Sequence, residues 1–160
     1  SSGPAPLAWM VSAACYSSDE QAAQGMSDPA WSPERLVYLA GSGACEPAAT
    51  APRGEVLSVS ADLSVIEANA GTDGWLVVAA THYPGWHAAV DGSATPIERA
   101  NLAFRAVWLT AGRHTVVFDY SPAWLPPAAL LSLAGLAGLA VIFALARRER
   151  HYNADRERNA

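Results

Sequence analysis

From Gly54 onward, apolar and polar residues alternate in short runs separated by turn residues. A side-chain period of two over five to eight residues is the mark of a strand with one face buried. The runs predict strands at Glu55–Ser60, Ser64–Ala70, Trp75–Thr81, Trp86–Val90, Ala103–Leu109 and Arg113–Tyr120. Turn signals lie between them at Gly71–Gly74, Pro84–Gly85, Asp91–Gly92 and Ala111–Gly112. Short strands at this spacing predict a β-sandwich. Alternation also assigns faces. Trp86, Ala88 and Val90 oppose His87 and Ala89; Phe104, Ala106 and Trp108 oppose Arg105; Val116, Phe118 and Tyr120 oppose Thr115 and Asp119. Trp75–Ala80 is apolar on both sides, as expected of a central strand.

The first fifty residues read differently. Ala8–Cys15 is one apolar run of strand type, and Ser17 with Glu20 three residues later makes a capping box for a helix over Asp19–Met26. Asp28–Pro29 and Ser32–Pro33 then break the chain before a second strand at Leu36–Ala40. The expectation is a β-α-β lead-in over 1–50 and a β-sandwich over 51–122, a mainly β (α+β) fold.

The third pattern is an uninterrupted apolar run. Residues 128–146 hold 16 hydrophobic residues in 19 positions and no charge. A helix needs roughly 20 such residues to cross a bilayer. Trp124 precedes the run, and Arg147, Arg148 and Arg150 follow it. One transmembrane helix over 123–147 is therefore expected, with a tail at 148–160. A basic flank stays on the cytoplasmic side. That puts residues 1–122 outside the cell membrane and the tail inside. The opening SSGPAPLAWM has neither the basic nor the apolar region of a signal peptide. An outer domain then needs delivery by an upstream segment, so the chain reads as the C-terminal piece of a longer membrane protein.

Composition agrees with this division. The 160 residues are 51% hydrophobic and 16% charged, with a net charge of −5. An acidic balance argues against nucleic acid as a partner, since phosphate contacts need clustered Lys and Arg. Cys15 and Cys45 can form a single disulfide in an oxidising compartment or remain two buried thiols, and the sequence leaves both open.

Candidate chemistry is sparse. His82, His87, His114 and Asp91 lack ligand spacing, so neither a metal nor another cofactor is expected, and a hydrolase built on these histidines is the weakest reading. No nucleophile elbow or acid–base pair is present, and no catalytic residue is assigned. Tyr83, Trp86, Trp75, Trp108 and Tyr120 are aromatic rings of the kind that stack on sugars. Trp86 and Trp108 share strand faces with Val and Phe, which favours core packing, while Tyr83 lies in a loop. Arg99 and Arg105, with Asp91 and Asp119, suit either cross-strand ion pairs or a phosphate or uronic group, the ion pairs being favoured. The candidate sugar-binding set is Tyr83, Trp86 and Arg105.

Residues 74–121 carry Tyr83-Pro84-Gly85-Trp86, then Asp91-Gly92, then Arg105-Ala106-Val107. Ala111-Gly112-x-His114-x-Val116 and Tyr120-Ser121-Pro122 follow. In that order, ahead of an apolar helix, this stretch resembles the C-terminal region of the YfhO-like bacterial membrane proteins. The lead-in also looks like the segment preceding that region, departing at Leu7, where the family often has a basic residue. The resemblance implies a polytopic parent with a GT-C-like membrane body. Such a parent would be a glycosyltransferase modifying cell-envelope polymers such as lipoteichoic acid from a lipid-linked sugar. This piece would then be accessory, recognising an acceptor or supporting the body. Its partners would be the lipid bilayer, the upstream membrane body and a cell-surface glycan or lipid-linked sugar. The alternative is a non-catalytic, membrane-anchored sandwich that binds carbohydrate or protein.

Overall fold

The computed structural model describes residues 6–46, 54–122, 127 and 131–143. The chain divides into two units, Ser1–Ser121 and Pro122–Ala160. In the first unit the strands are β1 (Ala8–Val11), β2 (Ala14–Ser17), β3 (Val37–Ala40), β4 (Cys45–Glu46), β5 (Glu55–Val59) and β6 (Val65–Ala70). They continue with β7 (Gly74–Thr81), β8 (Trp86–Val90), β9 (Ser93–Thr95), β10 (Glu98–Ala100), β11 (Phe104–Leu109) and β12 (Gly112–Tyr120). One helix, α1 (Asp19–Met26), lies between β2 and β3.

The strands form two sheets, which supports the sandwich expectation. Sheet A has the order β1-β7-β11-β10-β3-β2-β4, and sheet B the order β5-β6-β12-β8-β9. β2 and β3 run parallel across α1, giving the expected β-α-β unit, and β7 sits between β1 and β11 as a central strand.

The run Ala8–Cys15 is two strands, not one. Only Ser12 and Ala13 separate β1 from β2, yet four strands stand between them in sheet A. In a flat sheet those two strands would be about 24 Å apart at the usual strand spacing. Three residue steps reach at most about 11 Å. Sheet A must therefore curl until its ends approach. The curl encloses its own core of Val11, Ala14, Val37, Leu39, Trp75, Val77, Ala100 and Ala106, with Trp9, Tyr16 and Phe104 packed against it.

The opposite face of sheet A packs on sheet B. Ala8, Met10, Leu76, Val78, Val107 and Leu109 meet Ile66, Ala68, Ala88, Val116 and Phe118 there. Two cores explain why β7 and β11 are apolar on both sides. Trp108 departs from the core expectation: it is 38% exposed and stacks edge-on against Trp75 at 5.2 Å.

The α1 bounds agree with the sequence reading, but the cap moves by one residue. Ser17 is paired with Ala40 in the β2–β3 ladder and is buried, so its side chain is not at a helix start. Ser18 is the N-cap, with extended backbone, and Gln21 completes the capping box. Ala22 is the buried residue of α1, and Gly25 lies so close to the Tyr38 phenol that a Cβ would collide with it.

Cys15 and Cys45 are disulfide-bonded, opposite each other in the β2–β4 pair. β4, β9 and β10 are two or three residues long and fall where no strand is expected from the sequence.

In the second unit, residues 131–143 are helical, uncharged and exposed. Among the described residues no helix is long and apolar enough to cross a membrane. Most of the flanks on which the 123–147 span depends, including Trp124 and Arg147, lie outside the described residues, as does the tail at 148–160.

Candidate functional site

Three aromatic rings gather where β8 begins and β12 ends. β8 begins with Trp86 and β12 ends with Tyr120, and these residues are partners in the β8–β12 ladder. Their rings lie 5.1 Å apart. Tyr83, on the turn between β7 and β8, stands 6.3 Å from Trp86 and 5.3 Å from Tyr120. The turn is shaped by Pro84 and by Gly85, whose φ of 107° suits glycine. It is tied to β12 by a hydrogen bond from the Ser121 amide to the Gly85 carbonyl. Tyr83 and Tyr120 remain 44% and 39% exposed. Burial, then the neighbouring Tyr83 with its hydrogen bond, raises the Tyr120 phenol above its ordinary range.

Arg105 comes from sheet A. Its cross-strand partner on β7 is Val78, so it points at sheet B. The guanidinium carbon lies 3.8 Å from the centre of the Trp86 ring and 4.9 Å from that of Phe118. Cation–π contacts of this kind contribute about 2 kcal/mol or more when desolvated. Arg105 is only 2% exposed. The cross-strand ion pair favoured from sequence does not form: no carboxylate pairs with Arg105 among the described residues. The reason is its register, which sets it beside Val78 and, on the other side, Arg99.

Arg99 is satisfied elsewhere. It bridges the Asp19 carboxylate at the start of α1 and the Leu102 carbonyl. The hydrogen bond from Arg99, chiefly, holds Asp19 below its ordinary range. Burial first, then the charges of Arg99 and Arg105, depresses His82, against an opposing influence of Glu98. Arg105 itself is lowered by burial.

Beside Trp86 runs an open groove of about 410 Å³, lined by Trp86, His87, Ala88, Thr95, Pro96 and Ile97 among others. Pro96 and Ile97 carry the chain from sheet B to sheet A between β9 and β10, so the groove depends on a crossover that strand patterning does not register. Tyr83, Trp86 and Arg105, set apart by sequence, thus meet in one cluster. Tyr120 and Phe118 complete it, and their β12 alternation with Val116 was the available signal. Trp75 and Trp108 pair with each other instead.

The remaining polar motif is structural. Asp91 and Gly92 have φ of 51° and 82°, the paired positive values of a type I′ hairpin turn. Asp91 accepts the Thr115 amide at 2.8 Å and contacts His114 Nδ1 at 2.7 Å. His114 Nε2 lies 3.0 Å from the Thr110 carbonyl. This latch joins the β8–β9 turn to β12. No group of three metal-ligating side chains gathers among the described residues.

The Asp91–Gly92 turn and its His114 latch, the Tyr83–Trp86 turn and β12 lie within the stretch matched by the family model for bacterial membrane protein YfhO, which covers residues 56–132. Over these residues the chain is similar to the YfhO family. The matched segment runs from β5 through β12 and into the apolar stretch, so it takes in Tyr83, Trp86, Arg105 and Tyr120. The family is one of bacterial membrane proteins. No curated protein and no solved structure matches the chain.

Proposed function

We propose that residues 1–122 are an accessory, extracytoplasmic domain of a polytopic YfhO-type membrane protein, and that the domain recognises a glycan through Tyr83, Trp86 and Arg105. The parent would be a GT-C-like glycosyltransferase modifying cell-envelope polymers from a lipid-linked sugar, with its catalytic groups in the upstream membrane body. The observation that carries the binding role is the convergence of two exposed tyrosines, a tryptophan and a buried cation at one end of the sandwich. Sites of this type combine apolar faces with a few oriented polar groups. The disulfide supports an oxidising location. The exposed, uncharged side chains of helical residues 131–143 support a bilayer as their surroundings. On this reading the apolar segment spans the membrane over 123–147 and the tail at 148–160 is cytoplasmic.

The test is a titration of the full chain in neutral detergent with cell-wall glycan fragments, followed by Trp fluorescence. Saturable change is expected, and Tyr83→Ala should weaken it about tenfold, the effect of removing an aromatic contact residue. A flat titration in both proteins would reject glycan recognition. The parent assignment is tested separately by the upstream sequence: without a series of long apolar segments it fails.

A further inference from the structure

Buried charges in proteins are normally paired, because desolvation strongly disfavours a lone ion. Arg105 breaks this rule. Its Nε and Nη1 are buried without an acceptor, and so is Nε1 of Trp86, the ring against which the guanidinium lies. All three atoms are donors, and all belong to one side-chain contact. The Trp86 and Phe118 rings lie against the guanidinium, while its N–H groups radiate in its own plane. The flanking charges do not compensate it. Arg99 is its cross-strand neighbour and is taken up by Asp19, while Asp119 alternates to the other face of β12 from Phe118. Glu98, next to Arg99 on β10, alternates to the other face of its strand.

We propose that Arg105 makes the site selective for acidic saccharides, its guanidinium pairing with a carboxylate or phosphate group while the sugar ring lies on Tyr83. This inference rests on the glycan reading above and specifies the ligand's charge. A carboxylate or phosphate presents two charged acceptor oxygens at the spacing of the guanidinium fork, which a neutral hydroxyl does not. Tyr83 forms the outer wall of the cluster and is the part that must give way, being exposed and carried on a short turn.

The experiment compares a β-1,4-glucotetraose with the matching tetraglucuronate and with the tetraose phosphorylated at C6. Inorganic phosphate is the control, and binding to the full chain in neutral detergent is read by Trp fluorescence and calorimetry. The wild type should bind one of the acidic oligosaccharides about tenfold more tightly than the neutral one or better. Arg105→Met, which keeps volume and removes charge, should abolish that preference. Should this variant not fold, the wild type still decides. Raising sodium chloride about tenfold should weaken acidic binding and spare neutral binding. Equal affinity for neutral and acidic ligands, or a preference that survives Arg105→Met, overturns the inference and leaves glycan recognition standing. Inorganic phosphate binding as tightly as the phosphorylated sugar also overturns it, since the site would then read an anion without a saccharide. No saturable binding of any oligosaccharide defeats the glycan reading itself.

Discussion

Reducing the bridge between Cys15 and Cys45 perturbs the domain without removing an atom from its core. The cysteines are 30 residues apart, and the loop they close contains the end of β2, all of α1 and β3. Loop-closure entropy for that length corresponds to about 3.6 kcal/mol at 25 °C, acting mainly by restricting the unfolded chain. For a unit of this size the loss lowers Tm by roughly 10–15 °C. The measurement is urea denaturation of oxidised and reduced protein, followed by Trp fluorescence, with the Cys15→Ala/Cys45→Ala variant as control. A stability difference below about 0.5 kcal/mol would refute the reasoning. The bridge would then only pin β4, whose two residues are exposed and pair with β2 alone, and its loss would fray that strand without touching global stability.

Two further outcomes follow from the latch and from a close backbone approach. The Thr115 amide, chiefly, and the His114 hydrogen bond hold Asp91 below the usual carboxylate range. The unfolded chain therefore takes up the proton first, and the contribution of Asp91 is complete above about pH 4 and is lost as pH falls through its depressed value. Urea midpoints measured from neutral to acid pH should show a smaller acid loss in Asp91→Asn, and an unchanged profile would remove the latch from the account. At Gly74 an added Cβ would stand 2.7 Å from the Val11 carbonyl oxygen, so Gly74→Ala must push β1 off β7. A loss of about 1–3 kcal/mol is expected in denaturation, and a neutral effect would mean that β1 yields freely.

Alternation located most strands, and Trp86–Val90 agrees with β8 at both ends. It failed where burial is two-sided or pairing is brief. The β1–β2 break is hidden because Ser12 and Ala13 sit within a run that is apolar but for that one serine, and it becomes visible only through the curl of sheet A. β9 and β10 have three residues each around Pro96, too few for a period. For the site, parity correctly set Arg105 opposite Phe104 and Ala106. It did not say that both faces of β11 are cores, and the polar residue was assigned an ion partner that a buried inter-sheet position lacks. Tyr83 and Trp86 are legible as aromatics at a turn, whereas their meeting with Tyr120 depends on the β8–β12 register.

The strand order also dictates when the domain can exist. β12 is the last strand in sequence, yet it lies at the centre of sheet B, between the hairpins β5–β6 and β8–β9. In sheet A, β1 waits for β7, and β3 waits for β10 through the pairing of Leu39 with Ala100. As the chain emerges from its N-terminus, β1, β3 and the inner strands β6 and β8 of the two hairpins are made before the strands that complete their pairing. Tyr120 completes sheet B, and the apolar run begins eight positions later in the sequence. Completion of the two sheets and arrival of the apolar segment are thus nearly simultaneous. A chain stalled before β12 carries open strand edges rather than a smaller domain.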